Sequence, residues 1–302
     1  MTSFYYDIPG ASTWEVVEQV HKGWSKDKKY YIRTFDGQEL LLRTSEISQY
    51  NKKKREYEAI LLLEDTDILM SRPLQFGICN GGQTVYSLLT WIEGEDAEDI
   101  IPTLSAEEQY QLGVTSGQYL RSIHQIQAGK DQVPWADYYN RKIDKYITNY
   151  HACGIHLKGA DKVIQFVEEH RHLLEERPQT LQHGDFHIGN MIITNSRKLG
   201  IIDFNRFDYG DPWEEFNRIT FCAHLSGEFA SGRIHGYFND NVPEMFFRLM
   251  AVYIASNQIS SISWAVPFGE EEVASMLKRA EQILESFDGF QTYIPKWYLP
   301  SK

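Results

Sequence analysis

Hydrophobic and polar positions change their rhythm about a third of the way along the 302-residue chain. In the first part, apolar residues come in short, β-prone runs. Lys29–Thr34 and Gln38–Arg43 lie either side of Asp36-Gly37, and two such runs about an Asp-Gly turn predict a β-hairpin. A polar stretch over residues 47–63, with Ile60, Leu61 and Leu62 late in it, predicts a helix. Gly77–Cys79 and Val85–Leu89 predict two more strands about a turn at Asn80-Gly81-Gly82. From Glu93 the period becomes helical. Ser105-Ala-Glu-Glu108 is a capping box, and Leu112, Ser116, Tyr119, Leu120 and Ile123 follow it on one face. Further helices are predicted over Asp161–Leu174, after Pro243, and over Glu270–Phe287. The one later strand pair predicted is Met191–Thr194 with Leu199–Asp203, about a polar turn at Asn195–Lys198.

Composition narrows the class. With 42% hydrophobic and 24% charged residues the chain reads as globular, and its length suits two domains better than one core. Cys79, Cys153 and Cys222 form no CxxC pair, the N-terminus lacks a basic start before an apolar stretch, and no apolar run is long enough to span a bilayer. A cytoplasmic setting with no membrane partner is the expectation. A net charge of −12 argues against a nucleic-acid partner. The charge is unevenly spread: residues 1–92 hold 11 Lys+Arg and 12 Asp+Glu, and the remainder 19 and 30. An acidic surface draws cationic ligands.

The chemistry concentrates in Leu181–Phe204, LQHGDFHIGNMIITNSRKLGIIDF. Asp185 and Asn190 stand five residues apart in a polar, glycine-interrupted segment, and Asp203 ends the apolar run Leu199–Ile202. A hairpin of the two short strands would return Asp203 to Asn190. Two carboxylates and an amide oxygen suit Mg²⁺, which takes a few protein oxygens along with phosphate and water. Phosphoryl transfer needs such an ion and a carboxylate to orient the attacking hydroxyl.

HGD at 183–185, Asn190, IDF at 202–204 and GDP at 210–212 together resemble the catalytic and metal motifs of the aminoglycoside phosphotransferases. That resemblance implies an α+β, bilobal protein-kinase-like fold. A small antiparallel-sheet lobe with one helix, residues 1–92, would bind nucleotide; a larger, mostly helical lobe, residues 93–302, would carry catalysis and the acceptor. Asp185 is then the catalytic base, Asn190 and Asp203 hold magnesium, and His183 and Asp211 are structural parts of the motif. Gly23 and Ser25 belong to a loop covering the phosphates of ATP or GTP. Arg43 stands where kinases place a phosphate-contacting lysine, with Glu56 as its expected partner and Glu58 as second choice. In Ser87–Gly94, which resembles the hinge between lobes, Thr90 C=O and Ile92 N–H are expected to meet the base edge; Trp91 is a packing residue.

Asp208, Glu214 and Glu215 follow the metal motif and, with the acidic charge of this half, point to a small cationic acceptor. An aminoglycoside-type antibiotic is the first expectation. Choline, an amino sugar, another small metabolite or a macrolide is the second, and a non-catalytic binding or spore-coat-type protein that keeps the fold is the third. The chain has no GxSxG, HExxH, GxGxxG or Walker lysine motif. His151, Cys153 and His156 lack the second cluster a zinc site needs and read as a helix end.

Overall fold

Period-two alternation sets the first sheet. The structure, a computed structural model, describes residues 4–21 and 27–300. Strands β1 (Trp14–Val20), β2 (Lys28–Thr34), β3 (Glu39–Glu46), β4 (Pro73–Cys79) and β5 (Thr84–Thr90) form an antiparallel sheet in the order β1-β2-β3-β5-β4. Tyr30 and Ile32 of β2 join Leu40 and Leu42 of β3 in a core with Ile8, Cys79, Tyr86 and Leu88. Residues one step out of phase face the opposite side. Lys29 and Arg43, directly opposite each other in the β2–β3 register, therefore share that second face. The helix expected over 47–63 is α1 (Tyr50–Leu61), preceded by a 3₁₀ turn at Ile47–Gln49. Arg72 closes the loop beyond it by donating to the carbonyl oxygens of Leu63, Glu64, Thr66 and Ile68 at 2.6–3.0 Å.

The chain then passes through β6 (Glu95–Asp96) and one helical turn, α2 (Ala97–Ile100), into a mostly helical unit. That unit holds α3 (Ala106–Ile123), α4 (Trp135–Ala152), α5 (Ala160–His170) and the short strand β7 (Thr180–Gln182). The chain returns to the first unit as β8 (Met191–Ile193) and β9 (Leu199–Ile201), then continues in the second as β10 (Asp208–Gly210), α6 (Ile219–Leu225), α7 (Gly227–Phe238), α8 (Glu244–Ala265) and α9 (Glu270–Ser286). The two compact units are residues up to Ala97 with Asn190–Phe207, and Glu98–Gly189 with residues from Asp208 onward. The boundary expected at residue 92 thus moves to Ala97, and Asn190–Phe207 leaves the C-terminal half. Pairing is the reason: β8 lies between β6 and β9, with Glu95 opposite Ile193.

The capping box forms as the sequence implied, Ser105 Oγ accepting from Glu108 N–H and Glu108 Oε2 from Ser105 N–H. Helices α4, α6 and α7, the single turn α2, the short strand β6 and the β7–β10 pair were not anticipated. Helix α7 packs on α3 at backbone distance: a methyl group at Gly117 would sit 2.1 Å from Arg233 O, and one at Gly236 2.1 Å from Val114 O. Helix α8 is buried along most of its length, from Phe246 to Ala265.

Candidate active site

The HGD loop leaves β7, whose Gln182 lies opposite Asp208 of β10. Gly184 takes a φ of 80°, a conformation open chiefly to glycine. The backbone N–H groups of His183 and Gly184 both donate to the Glu215 carboxylate, at 2.6 and 2.8 Å. Glu215 is 4% exposed and its other contact is His124 Nε2 at 3.3 Å. Burial alone would raise this carboxyl, but His124 and His183 outweigh it and hold it below its ordinary range. On the far side of the loop, Phe186 C=O accepts from Arg233 Nη1 at 3.1 Å, and Arg233 Nε donates to Ser116 Oγ at 2.9 Å. A buried acid and a buried base thus fix the loop's backbone.

Asp185 sits between these anchors, its side chain 14% exposed. Its Oδ1 lies 3.1 Å from Arg218 Nε and 3.5 Å from His187 Nε2. His187 Nδ1 accepts from Gly189 N–H at 3.1 Å, which leaves the neutral ring's proton on Nε2, the nitrogen nearer Asp185. The His187 ring is 5.3 Å from that of Phe221, which helps line a cavity of about 280 Å³ within the second unit. His224, Asn257, Gln258, Arg279 and Gln282 line it too, and Glu285 is the sole carboxylate among its lining residues.

In the first unit, Met191 pairs with Ile201 and Ile202 N–H donates to Asn190 O at 3.0 Å, so the β8–β9 hairpin sets Asn190 beside Asp203. Asp203 has a φ of 70°, the left-handed region, which Asp tolerates at some cost. Arg43 Nη1 reaches its Oδ1 at 2.9 Å and Lys29 Nζ its Oδ2 at 3.2 Å. Burial would raise this carboxyl as well; Arg43 first, then Lys29, hold it below its usual value. Arg43 Nη2 continues to Asp27 at 2.9 Å, Lys53 bridges Asp27 and Glu56 at 2.8 and 2.7 Å, and the signs alternate throughout. Arg43 therefore bonds to Asp27 and Asp203 rather than to the expected Glu56. Lys53, one helical turn before Glu56, takes that carboxylate instead. Burial raises the Glu56 carboxyl, with Lys53 opposing.

Other expected residues fall as follows. Gly23 and Ser25 lie outside the described residues. Thr90 ends β5, its N–H donating to Arg72 O at 2.9 Å and its Oγ1 accepting from Arg72 N–H at 2.8 Å; Ile92 packs towards Gly200 of β9. Trp91 packs edge-on to Tyr31 at 5.2 Å. Asp211 is fully buried, bound by Arg177 Nε at 2.7 Å and Tyr253 OH at 2.6 Å, and its C=O accepts from Gln182 Nε2 at 2.8 Å. Asp208 is exposed on β10. Glu214 and Glu215 are corrections. Both were expected to meet a cationic acceptor, and both are buried. Glu215 holds the HGD loop, and Glu214 pairs with the half-buried Lys142 at 3.1 Å, keeping that ammonium charged against its desolvation. The sequence reading also missed Lys29, Asp27, Arg218 and Arg233. Pairing β2 with β3 in register would have put Lys29 beside Arg43; no comparable signal marks Arg233.

Among the described residues no group of three or more His, Cys, Asp or Glu could hold a metal unaided. The ionised Asp203 with the neighbouring Asn190 fits an ion that takes one or two protein oxygens and completes its shell elsewhere, as Mg²⁺ does beside phosphates. The antiparallel sheet with its helix and the mostly helical second unit make up the protein-kinase-like architecture that the motifs implied. By its sequence profile, matched over residues 16–247, the chain belongs to the phosphotransferase enzyme family. Solved structures with the same fold include a thermostable mutant of aminoglycoside phosphotransferase APH(4)-Ia (TM-score 0.70, 16% identity, 94% of this chain and 99% of that one). Another is the GDP complex of an aminoglycoside 2'-phosphotransferase-IIIa mutant (0.71, 15%, 95% and 97%). A third is the gentamicin complex of APH(2")-IIa (0.63, 19%, 89% and 92%). The chain is also 20% identical over 270 residues to mouse (Mus musculus) acyl-CoA dehydrogenase family member 10, covering 82% of this chain but only a quarter of that relative's length. No helix among the described residues is long and apolar enough to cross a membrane.

Proposed function

We propose that this enzyme moves the γ-phosphate of ATP or GTP to a hydroxyl of a small acceptor, with Asp185 as base and magnesium held by Asn190 and Asp203. The observation that carries the reading is the anchoring of Asp185: a partly exposed carboxylate on a loop whose backbone is pinned by buried Glu215 and Arg233. Phosphoryl transfer through a loose transition state needs orientation and charge more than proton affinity, and a fixed carboxylate supplies the orientation. Asp185 would accept the acceptor's hydroxyl proton as the oxygen attacks phosphorus. Magnesium, when bound, neutralises the β- and γ-phosphate oxygens. Lys29 and Arg43, both at Asp203, add positive charge on the face of the sheet where phosphates are read to bind. Nucleotide complexes among the structural neighbours support this co-substrate.

The acceptor is read as small and cationic, on the net charge of −12 and the aminoglycosides bound by structural neighbours. A second reading has a specific observation behind it. Burial removes Glu214 and Glu215 as contacts for ammonium groups, and in the cavity that Phe221 lines the one carboxylate, Glu285, is matched by the guanidinium of Arg279 among amides, hydroxyls and apolar side chains. A lining whose formal charges cancel gives a polycationic antibiotic little to bind, and leaves an acceptor with at most one cationic group, such as choline or a simple amino sugar, as the second reading. The test is release of ADP and GDP from the magnesium nucleotides in the presence of gentamicin, streptomycin, hygromycin B, choline, glucosamine or a macrolide. Acceptor-stimulated release with a phosphorylated product supports the reading. No stimulation by any acceptor, with nucleotide bound but not turned over, favours the non-catalytic alternative.

A further inference from the structure

The segment Glu214–Arg218 is a 3₁₀ turn, in which residues three apart come round to the same side. Glu215 and Arg218 are such a pair, and both reach the HGD loop. Glu215 takes the two backbone N–H groups before Asp185, at 2.6 and 2.8 Å, and Arg218 Nε stands 3.1 Å from Asp185 Oδ1. One turn therefore grips the loop's backbone with its acid and the loop's reactive side chain with its base. Oδ1 is buried, enclosed by Arg218 and by His187 Nε2 at 3.5 Å.

We propose that Arg218 is a positioning residue for the base: its contact with Oδ1 fixes the rotation of the Asp185 carboxylate and directs Oδ2 at the acceptor hydroxyl. This rests on the reading of Asp185 as base. Stability is not the purpose of the pair. Arg218 is 25% exposed, and part-open ion pairs add little to folding stability. His187 Nε2 flanks the same oxygen at 3.5 Å, farther off than the Arg218 Nε at 3.1 Å, so Arg218 is the nearer partner that sets the rotation.

The test is a double-mutant cycle on magnesium-ATP turnover, using water, which is always present as an acceptor, and any acceptor the wild type accepts. Arg218→Ala should lower kcat about tenfold to a hundredfold, the order a displaced reacting group produces, with nucleotide KM within about twofold and the melting temperature unchanged. Arg218→Lys should recover part of that loss and Arg218→Gln none; these two decide the matter if the alanine variant fails to fold. In an Asp185→Asn background, removing Arg218 should change turnover less than about threefold, because the two residues act as one unit. Wild-type turnover in Arg218→Ala, or the same fold loss in both backgrounds, overturns the proposal. Wild-type turnover in Asp185→Asn alone would instead overturn the assignment of the base.

Discussion

Arg43 shows how one side chain ties the nucleotide side together. It lies between two carboxylates at 2.9 Å each, and removing it would leave the half-buried Asp27 and Asp203 with fewer cations. Truncating one partner of a buried pair typically costs about 3–5 kcal/mol, so Arg43→Ala should melt well below the wild type and bind magnesium nucleotide more weakly. Arg43→Lys should recover part of each, and an alanine variant as stable as wild type would contradict the account. Glu215 gives a prediction in pH. Its folded-state carboxyl lies below its ordinary value, so the stability it contributes is present above the unfolded value, about 4.3, and fades as pH falls through the folded one. Melting curves from pH 7 to 3 should fall with pH, and in Glu215→Gln the acid slope should flatten by up to about 1.4 kcal/mol per pH unit. An unchanged slope would mean the group is not coupled to folding. At this scale the hairpin that returns Asp203 towards Asn190 was legible, because it is local to a short segment. The partners of Arg43 and the burial of Glu214 and Glu215 were not, because register and tertiary packing decide them.

At the scale of elements, the informative contact is α3 on α7. Glycine lowers helix propensity, and GEFASGRIHGYF shows no clean apolar stripe, so α7 was invisible to a periodicity reading. Its glycines are the contact surface, with Gly236 against Val114 O and Gly117 of α3 against Arg233 O. The crossing also sets Arg233 under Phe186 of the catalytic loop. Gly117→Val should cost at least about 1–3 kcal/mol through overpacking and lower kcat as Arg233 shifts, read by thermal unfolding and turnover on the same sample. A stable, fully active Gly117→Val would show that the close approach is dispensable. The hairpin about Asp36-Gly37 and the capping box at Ser105 were legible for the opposite reason: each is fixed by a few neighbouring residues.

For the whole molecule, the sequence already located the excess negative charge after residue 92, although the structure redraws the units at Ala97 and Asn190–Phe207. A cationic acceptor drawn by that charge should show a KM that rises several-fold between low salt and about 0.3 M salt at constant magnesium, since screening acts over about 8–10 Å at moderate ionic strength. A flat KM would make the charge a matter of solubility alone. The central claim, that Asp185 orients the attacking hydroxyl, is tested most directly by transfer of labelled γ-phosphate from magnesium ATP in wild type and Asp185→Asn, alongside nucleotide binding. The account predicts a kcat lower by about 10²–10⁴ with nucleotide affinity within about twofold, the usual worth of a positioned base. A folded Asp185→Asn enzyme that transfers phosphate at the wild-type rate would contradict it.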